Sequence, residues 1–116
     1  MIKNRRAFIV GIKSITLSQK EKKFLKKYKP WGVILFSRNL KEFKQIKKLI
    51  FDIKLIFKDK KYPILIDQEG GRVNRLNNLI ESSIFTAKYF GDLYKKNKYK
   101  FYNYYKIYIN QISYLL

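Results

Sequence analysis

The chain has 116 residues, enough for one small domain with one core. It contains no cysteine, which excludes disulfides and thiolate metal sites, and no histidine, which removes the commonest general base and the commonest metal ligand. The formal net charge of +19 has two readings. One is a binder of nucleic acid or of an anionic surface. The other is a composition skewed to Lys, Ile, Asn, Tyr and Phe, of the kind AT-rich coding sequence produces. The lysines are spread along solvent faces of expected helices rather than clustered, which favours the second.

Met1–Arg6 is basic, but the apolar run after it, Ala7–Ile12, is too short for a secretory signal and stops at Lys13. No stretch approaches the roughly 20 apolar residues of a membrane span, so a soluble cytoplasmic protein is expected. AFIVGI, residues 7–12, reads as a first strand. Ser18 and Glu21 have the spacing of a capping box, predicting a helix from about Gln19 with Phe24, Leu25 and Tyr28 on its apolar face. Pro30 and Gly32 stop it and lead into a second strand, Gly32–Phe36. The loop Ser37-Arg38-Asn39 comes next, and Asn39 with Glu42 three residues on resembles another helix start. Ile46, Leu49, Ile50, Ile53 and Phe57 recur at helical spacing, with Lys47, Lys48 and Lys54 off that stripe. Lys58–Lys61 is a solvated turn and Pro63–Asp67 a third strand.

From Thr86 to Leu116 the pattern predicts one helix. Phe101, Tyr104, Tyr105, Tyr108, Ile112 and Leu115 form its stripe. A core-facing helix face explains the stripe; base stacking or a membrane-surface helix is the alternative. The missing Trp and the absence of a segregated basic face weigh against that alternative. The order β-α-β-α-β-loop-α predicts an α/β fold built of parallel βαβ units, either a doubly wound sheet or part of a (β/α)₈ barrel.

The most informative stretch is PILIDQEGGRVNRL, residues 63–76. An apolar strand ends at the carboxylate of Asp67, and a loop with two glycines and two arginines, Arg72 and Arg75, begins at once. α/β enzymes keep their binding groups at such strand ends. Gly70-Gly71 makes a poor phosphate loop, since neither GxGxxG nor GxxxxGK[ST] occurs. Asp67 and Glu69, two residues apart, cannot flank a glycosidic bond as an acid and nucleophile pair.

WGVILFSRN (Trp31–Asn39) together with IDQEGGRVNRL (Ile66–Leu76) resembles the N-terminal part of the glycoside hydrolase family 3 β-N-acetylhexosaminidases of the bacterial peptidoglycan-recycling type. Phe85–Gly91 is similar, more weakly, to the next segment of that family. The resemblance implies the N-terminal β-α-β-α-β-α part of a TIM-type (β/α)₈ barrel, incomplete over residues 1–116. It implies hydrolysis, with retention, of terminal non-reducing β-linked N-acetylglucosamine from peptidoglycan fragments. Position by position, Asp67 corresponds to a carboxylate that accepts sugar hydroxyls and Arg75 to an arginine that contacts the same sugar. Gly70 and Gly71 would turn the backbone beneath it, with Glu69 and Arg72 bracing the loop as an ion pair. The alternative for Asp67 and Arg75 is that they pair only with each other.

The family's histidine acid/base, which lies after a K-H-x-P-G-H-G segment, and its nucleophilic aspartate have no counterpart here, so no catalytic residue is expected in this chain. The resemblance implies no metal and no organic cofactor. A barrel needs about 250 residues, so the expectation is a truncated piece, inactive alone and poorly soluble or molten. Its missing partner is the C-terminal barrel half. The remaining alternative is a non-catalytic basic remnant that binds carbohydrate or nucleic acid, although no nucleic-acid motif supports the latter.

Overall fold

The computed structural model describes residues 4–115, without the side chain of Leu115; the expectations for Met1–Lys3, for that side chain and for Leu116 lie outside the described residues. The elements run β1 (Arg6–Gly11), α1 (Gln19–Tyr28), β2 (Pro30–Leu35), a 3-10 turn (Ser37–Asn39), α2 (Phe43–Phe57), β3 (Ile64–Ile66), α3 (Ala87–Lys96) and α4 (Lys98–Leu115). The fold is α/β. The strands form one sheet in the order β1-β2-β3, and both pairings are parallel.

α1 starts where the capping box places it. Ser18 Oγ accepts from Glu21 N, and the Glu21 carboxylate accepts from Ser18 N at 2.8 Å and from Lys13 N at 2.8 Å. Burial disfavours the charged form of Glu21, but the hydrogen bonds from the Ser18 hydroxyl and from the Lys13 and Ser18 amides outweigh it and hold the carboxyl below its ordinary pKa. Lys29 ends α1 in the left-handed region at φ 47°.

α2 starts differently from the expectation. Asn39 is not its cap: the helix begins at Phe43 after Glu42, which makes no side-chain cap bond. Lys41 N is instead satisfied by Gln45 Oε1 at 3.0 Å, one turn in. The expected stripe does face the core, with Leu49 and Ile53 buried and Ile46, Ile50 and Phe57 packed around them.

The core is one-sided. Val33 and Leu35 of β2 meet Leu25 of α1 and Leu49 and Ile53 of α2, with Ile12, Leu17 and Tyr62 closing the margins. Strand alternation sends Ala7, Ile9 and Gly11, then Gly32 and Ile34, then Pro63 and Leu65 to the opposite face. A Cβ on Gly32 would meet Leu65 Cδ1 at 2.9 Å, which confirms that these two share a face. This face is only partly open: Ile9 is 45 % exposed, whereas Ile34, Pro63 and Leu65 are half-buried and Gly32 is buried. At the N-terminal end of the strands Arg5 pairs with Asp59, and its guanidinium lies 4.5 Å from the centre of the Tyr62 ring, which stacks on Phe57 at 3.9 Å.

The single helix expected from Thr86 onward is two. α3 starts at a Thr86 cap and stops at Asn97, whose backbone is extended and whose side chain accepts from Lys100 N at 2.9 Å. The chain thus restarts as α4 through an asparagine cap. The aromatic stripe packs on α3 rather than beneath the sheet. Phe90 is buried against Phe101, Tyr105 and Tyr108, whereas Tyr104 is half exposed and Ile112 packs against the main core. This hairpin stretches the molecule to 53 × 30 × 20 Å, with a radius of gyration of 17.0 Å, against about 13 Å for a compact 100-residue domain. No helix among the described residues is long and apolar enough to cross a membrane.

Because its carboxyl is favoured as the anion in the fold, Glu21 stabilises above its ordinary pKa, and that contribution is lost as the pH falls through the folded value. Glu21→Gln is expected to destabilise by about 1 kcal/mol at pH 7. The difference should shrink towards zero well below about pH 4.3, the ordinary glutamate value, in denaturant titrations run at both pH values.

Candidate functional site

Parallel strands deliver their loops to one end of the sheet, and three loops meet there. The link between the first two is Asn39, fully buried at the end of the 3-10 turn. Its Oδ1 accepts from Phe36 N at 2.9 Å, and its Nδ2 donates to Ile12 O at 3.2 Å and to Ser14 O at 2.8 Å. Gln45 Nε2 adds bonds to Ile15 O at 2.6 Å and to Asn39 O at 3.1 Å. The third loop joins through Asn78 Nδ2, which donates to Leu40 O at 3.1 Å.

Within the third loop, Gly70 and Gly71 lie in the left-handed region at φ 82° and 57°, where a side chain is strained. Their turn is tied by Glu69 N and Gly70 N donating to Val73 O at 3.2 and 3.0 Å, and by Val73 N donating to Gly70 O. Gln68 braces the return: its Oε1 accepts from Arg75 N at 2.8 Å and its Nε2 donates to Asn74 Oδ1 at 3.0 Å. Asn74 in turn donates to the buried Ser82 hydroxyl at 3.0 Å.

These braces bring Asp67 and Arg75 together. Arg75 Nη2 lies 3.3 Å from Asp67 Oδ2, and Nε donates to Asp67 O at 3.3 Å. The pair is open to solvent, the Asp67 side chain being 45 % exposed and that of Arg75 29 %. The bonds are long for a charge-assisted pair, and Asp67 Oδ1 accepts nothing from the described residues. Asp67 therefore keeps acceptor capacity and Arg75 keeps donors, a combination suited to a neutral polyhydroxylated ligand. Arg75 also lies over the Phe36 ring, Cζ to centroid 5.5 Å, and Arg38 lies over the same ring at 4.6 Å.

The expected Glu69–Arg72 ion pair does not form among the described residues. Both side chains are exposed, and the loop is braced instead by its backbone turn and by the amides of Gln68 and Asn74. The sequence reading also missed Phe36 as the neighbour of Arg75, Arg38 as a second cation on the same ring, and Asn39 as the tie between loops. An apolar groove of about 520 Å³ lies at the free edge of β3, lined by Leu35, Ile46, Ile50, Ile66, Leu79 and Tyr114 among others. It is not lined by Asp67 or Arg75.

Replacing Asn39 by Asp is expected to destabilise the chain by about 2–3 kcal/mol. A carboxylate retains the bond from Phe36 N but turns acceptor against the Ile12 and Ser14 carbonyls. The shift in denaturant midpoint measures it, and a shift below 0.5 kcal/mol (about half the value of one ordinary hydrogen bond) contradicts the tie.

Comparison with known proteins places these loops in context. No family model matches the chain. It is 40 % identical over 70 residues to a β-hexosaminidase of Actinobacillus succinogenes, 60 % of this chain and 20 % of the relative. It is 36 % identical over 72 residues to a β-hexosaminidase of Haemophilus influenzae, 62 % of this chain and 20 % of the relative. Among solved structures it is similar to NagZ from Neisseria gonorrhoeae crystallised in complex with zinc ion, with a TM-score of 0.65, 30 % identity and coverage of 80 % of this chain and 27 % of that one. The NagZ structure from the same organism in complex with N-trifluoroacetyl-D-glucosamine gives a TM-score of 0.55 and 35 % identity over 61 % of this chain and 21 % of that one. A glycoside hydrolase family 3 β-N-acetylglucosaminidase from a Paenibacillus strain gives 0.57 and 32 % over 65 % of this chain and 15 % of that one. The resemblance read from the two motifs is therefore shared by sequence relatives and solved structures alike. The chain spans about a fifth of the length of the curated relatives it matches.

Proposed function

We propose that this chain carries part of the amino-sugar site of a glycoside hydrolase family 3 β-N-acetylhexosaminidase. Its three parallel strands are the opening of a (β/α)₈ barrel, and residues 1–116 are part of that barrel domain. The observation that carries the reading is the solvent-open Asp67–Arg75 pair at the carboxyl end of β3, within the Ile66–Leu76 motif that resembles that family. The apolar residues on the sheet face opposite α1 and α2, among them Ile9, Ile34 and Leu65, support the barrel, since a barrel needs an apolar interior face.

In this reading Asp67 accepts hydrogen bonds from hydroxyls of a terminal β-linked N-acetylglucosamine, and Arg75 donates to oxygens of the same sugar. The pair has to open for the sugar to enter, and its long bonds and exposure keep that opening inexpensive. The glycine turn places the loop backbone beneath the sugar, and Gln68 holds the Arg75 backbone in register with Asp67. Bond cleavage with retention requires an acid/base and a nucleophilic carboxylate. Those groups come from a further barrel segment, the missing C-terminal half, so the isolated chain binds without hydrolysing. The substrates in this reading are peptidoglycan fragments met in the cytoplasm.

Asp67→Ala is expected to weaken binding of N-acetylglucosamine at least tenfold (about the worth of a hydrogen bond to a charged group) in a chemical-shift titration of the 116-residue chain. Retained affinity removes Asp67 from the site. The purified chain is expected to release no phenol from a chromogenic β-N-acetylglucosaminide; measurable release contradicts the assignment of chemistry to a segment outside it.

A further inference from the structure

We propose that Phe36 is a positioning residue of the same site: its ring is the shelf that holds the Arg75 guanidinium beside Asp67. The role rests on the sugar-site reading above. Arg75 is otherwise weakly held, since both of its side-chain contacts to Asp67 are 3.3 Å long and lie at the solvent boundary. An arginine so exposed samples many rotamers, and ordering it at the moment of binding carries an entropic cost. The Phe36 ring, 5.5 Å from Arg75 Cζ, restricts that freedom in advance, since guanidinium planes favour aromatic faces.

The shelf is itself fixed on three sides. Phe36 N donates to the buried Asn39 Oδ1, which sets its backbone. Arg38 lies against the ring at 4.6 Å and is anchored through Nε to Ile12 O at 3.0 Å. Gly11 supplies the third side by carrying no side chain. A Cβ there would lie 3.2 Å from Phe36 Cε2 and 3.2 Å from Arg38 Nη2. Gly11 lies in β1, in extended backbone that alanine also adopts, so the closeness of the ring and guanidinium is what the missing side chain permits. Residues from the ends of all three strands thus converge on one aromatic ring, and the ring's free contact is the arginine that faces Asp67.

The test is a double-mutant cycle on N-acetylglucosamine affinity in the full 116-residue chain. Phe36→Leu keeps apolar bulk and removes the π face. It is expected to weaken binding about three- to tenfold, and Phe36→Tyr is expected to restore it. In an Arg75→Met background Phe36→Leu is expected to change nothing, because the group that the ring holds is gone; a merely structural role would give the same loss in both backgrounds. A second readout needs no variant: the Arg75 side-chain protons of the wild-type chain should carry an upfield ring-current shift that Phe36→Leu removes. Wild-type affinity in Phe36→Leu, an equal loss in the Arg75→Met background, or unshifted Arg75 protons each overturn the role while leaving the sugar site standing. Failure of the wild-type chain to bind the sugar at all overturns the site and the role together.

Discussion

The structure depends most on one buried amide. Asn39 has no solvent exposure, and its side chain satisfies one donor and two acceptors from loops that come after two different strands. An unpaired buried amide or carbonyl costs about 1–3 kcal/mol, so the loops after β1 and β2 gain by closing on Asn39 together. That closure sets the course of the chain out of β2, and with it the direction of Phe36 and Arg38. The third loop is anchored to the same place through Leu40. The site is a consequence of this tie: three otherwise independent loops are held as one surface, and Asp67 and Arg75 stand on it.

The two faces of the sheet differ because of where the helices fall. α1 and α2 both pack on one face; of the residues that strand alternation sends to the other, Ala7, Ile9 and Gly11 are exposed, Ile34, Pro63 and Leu65 half-buried and Gly32 buried. Gly11 and Gly32 on that face are small where a neighbouring side chain crosses, Phe36 in one case and Leu65 in the other. Two small residues opposite two large ones make an interlocked surface suited to further packing. That face and the strand ends meet at Phe36, so the groups of the candidate site sit on its rim. The α3–α4 hairpin is held mainly by its own aromatic cluster around Phe90, and it reaches the site loop where the Tyr108 hydroxyl and Thr86 lie against Gly70 and Gly71.

Much of the architecture was legible in the residues. The capping box at Ser18, the stripe from Ile46 to Phe57 and the apolar runs around Val33 and Leu65 are local signals, and local signals predict local structure well. The glycines at 70 and 71 likewise announce a backbone that other residues avoid. Choices made by distant partners could not be read. Asn39 looks like a helix cap because its neighbours suit one, yet the Ile12 and Ser14 carbonyls, more than twenty residues away, claim its side chain. Glu69 and Arg72 have opposite charges and suitable spacing, but the backbone turn at Val73 had already satisfied the loop and left both in water. Asn97 interrupts a helical pattern by capping a new helix, and the aromatic stripe beyond it looked core-facing because periodicity names an apolar face without naming its cover.

The proposed sugar-binding surface, formed at the ends of three parallel strands, centres on Asp67 and Arg75. A crystal structure of the 116-residue chain soaked with N-acetylglucosamine tests it most directly. The expected result is the sugar seated between the two side chains, hydroxyls on the Asp67 carboxylate and the guanidinium resting on Phe36. A sugar seated elsewhere, with Asp67 and Arg75 still closed on each other, would contradict it.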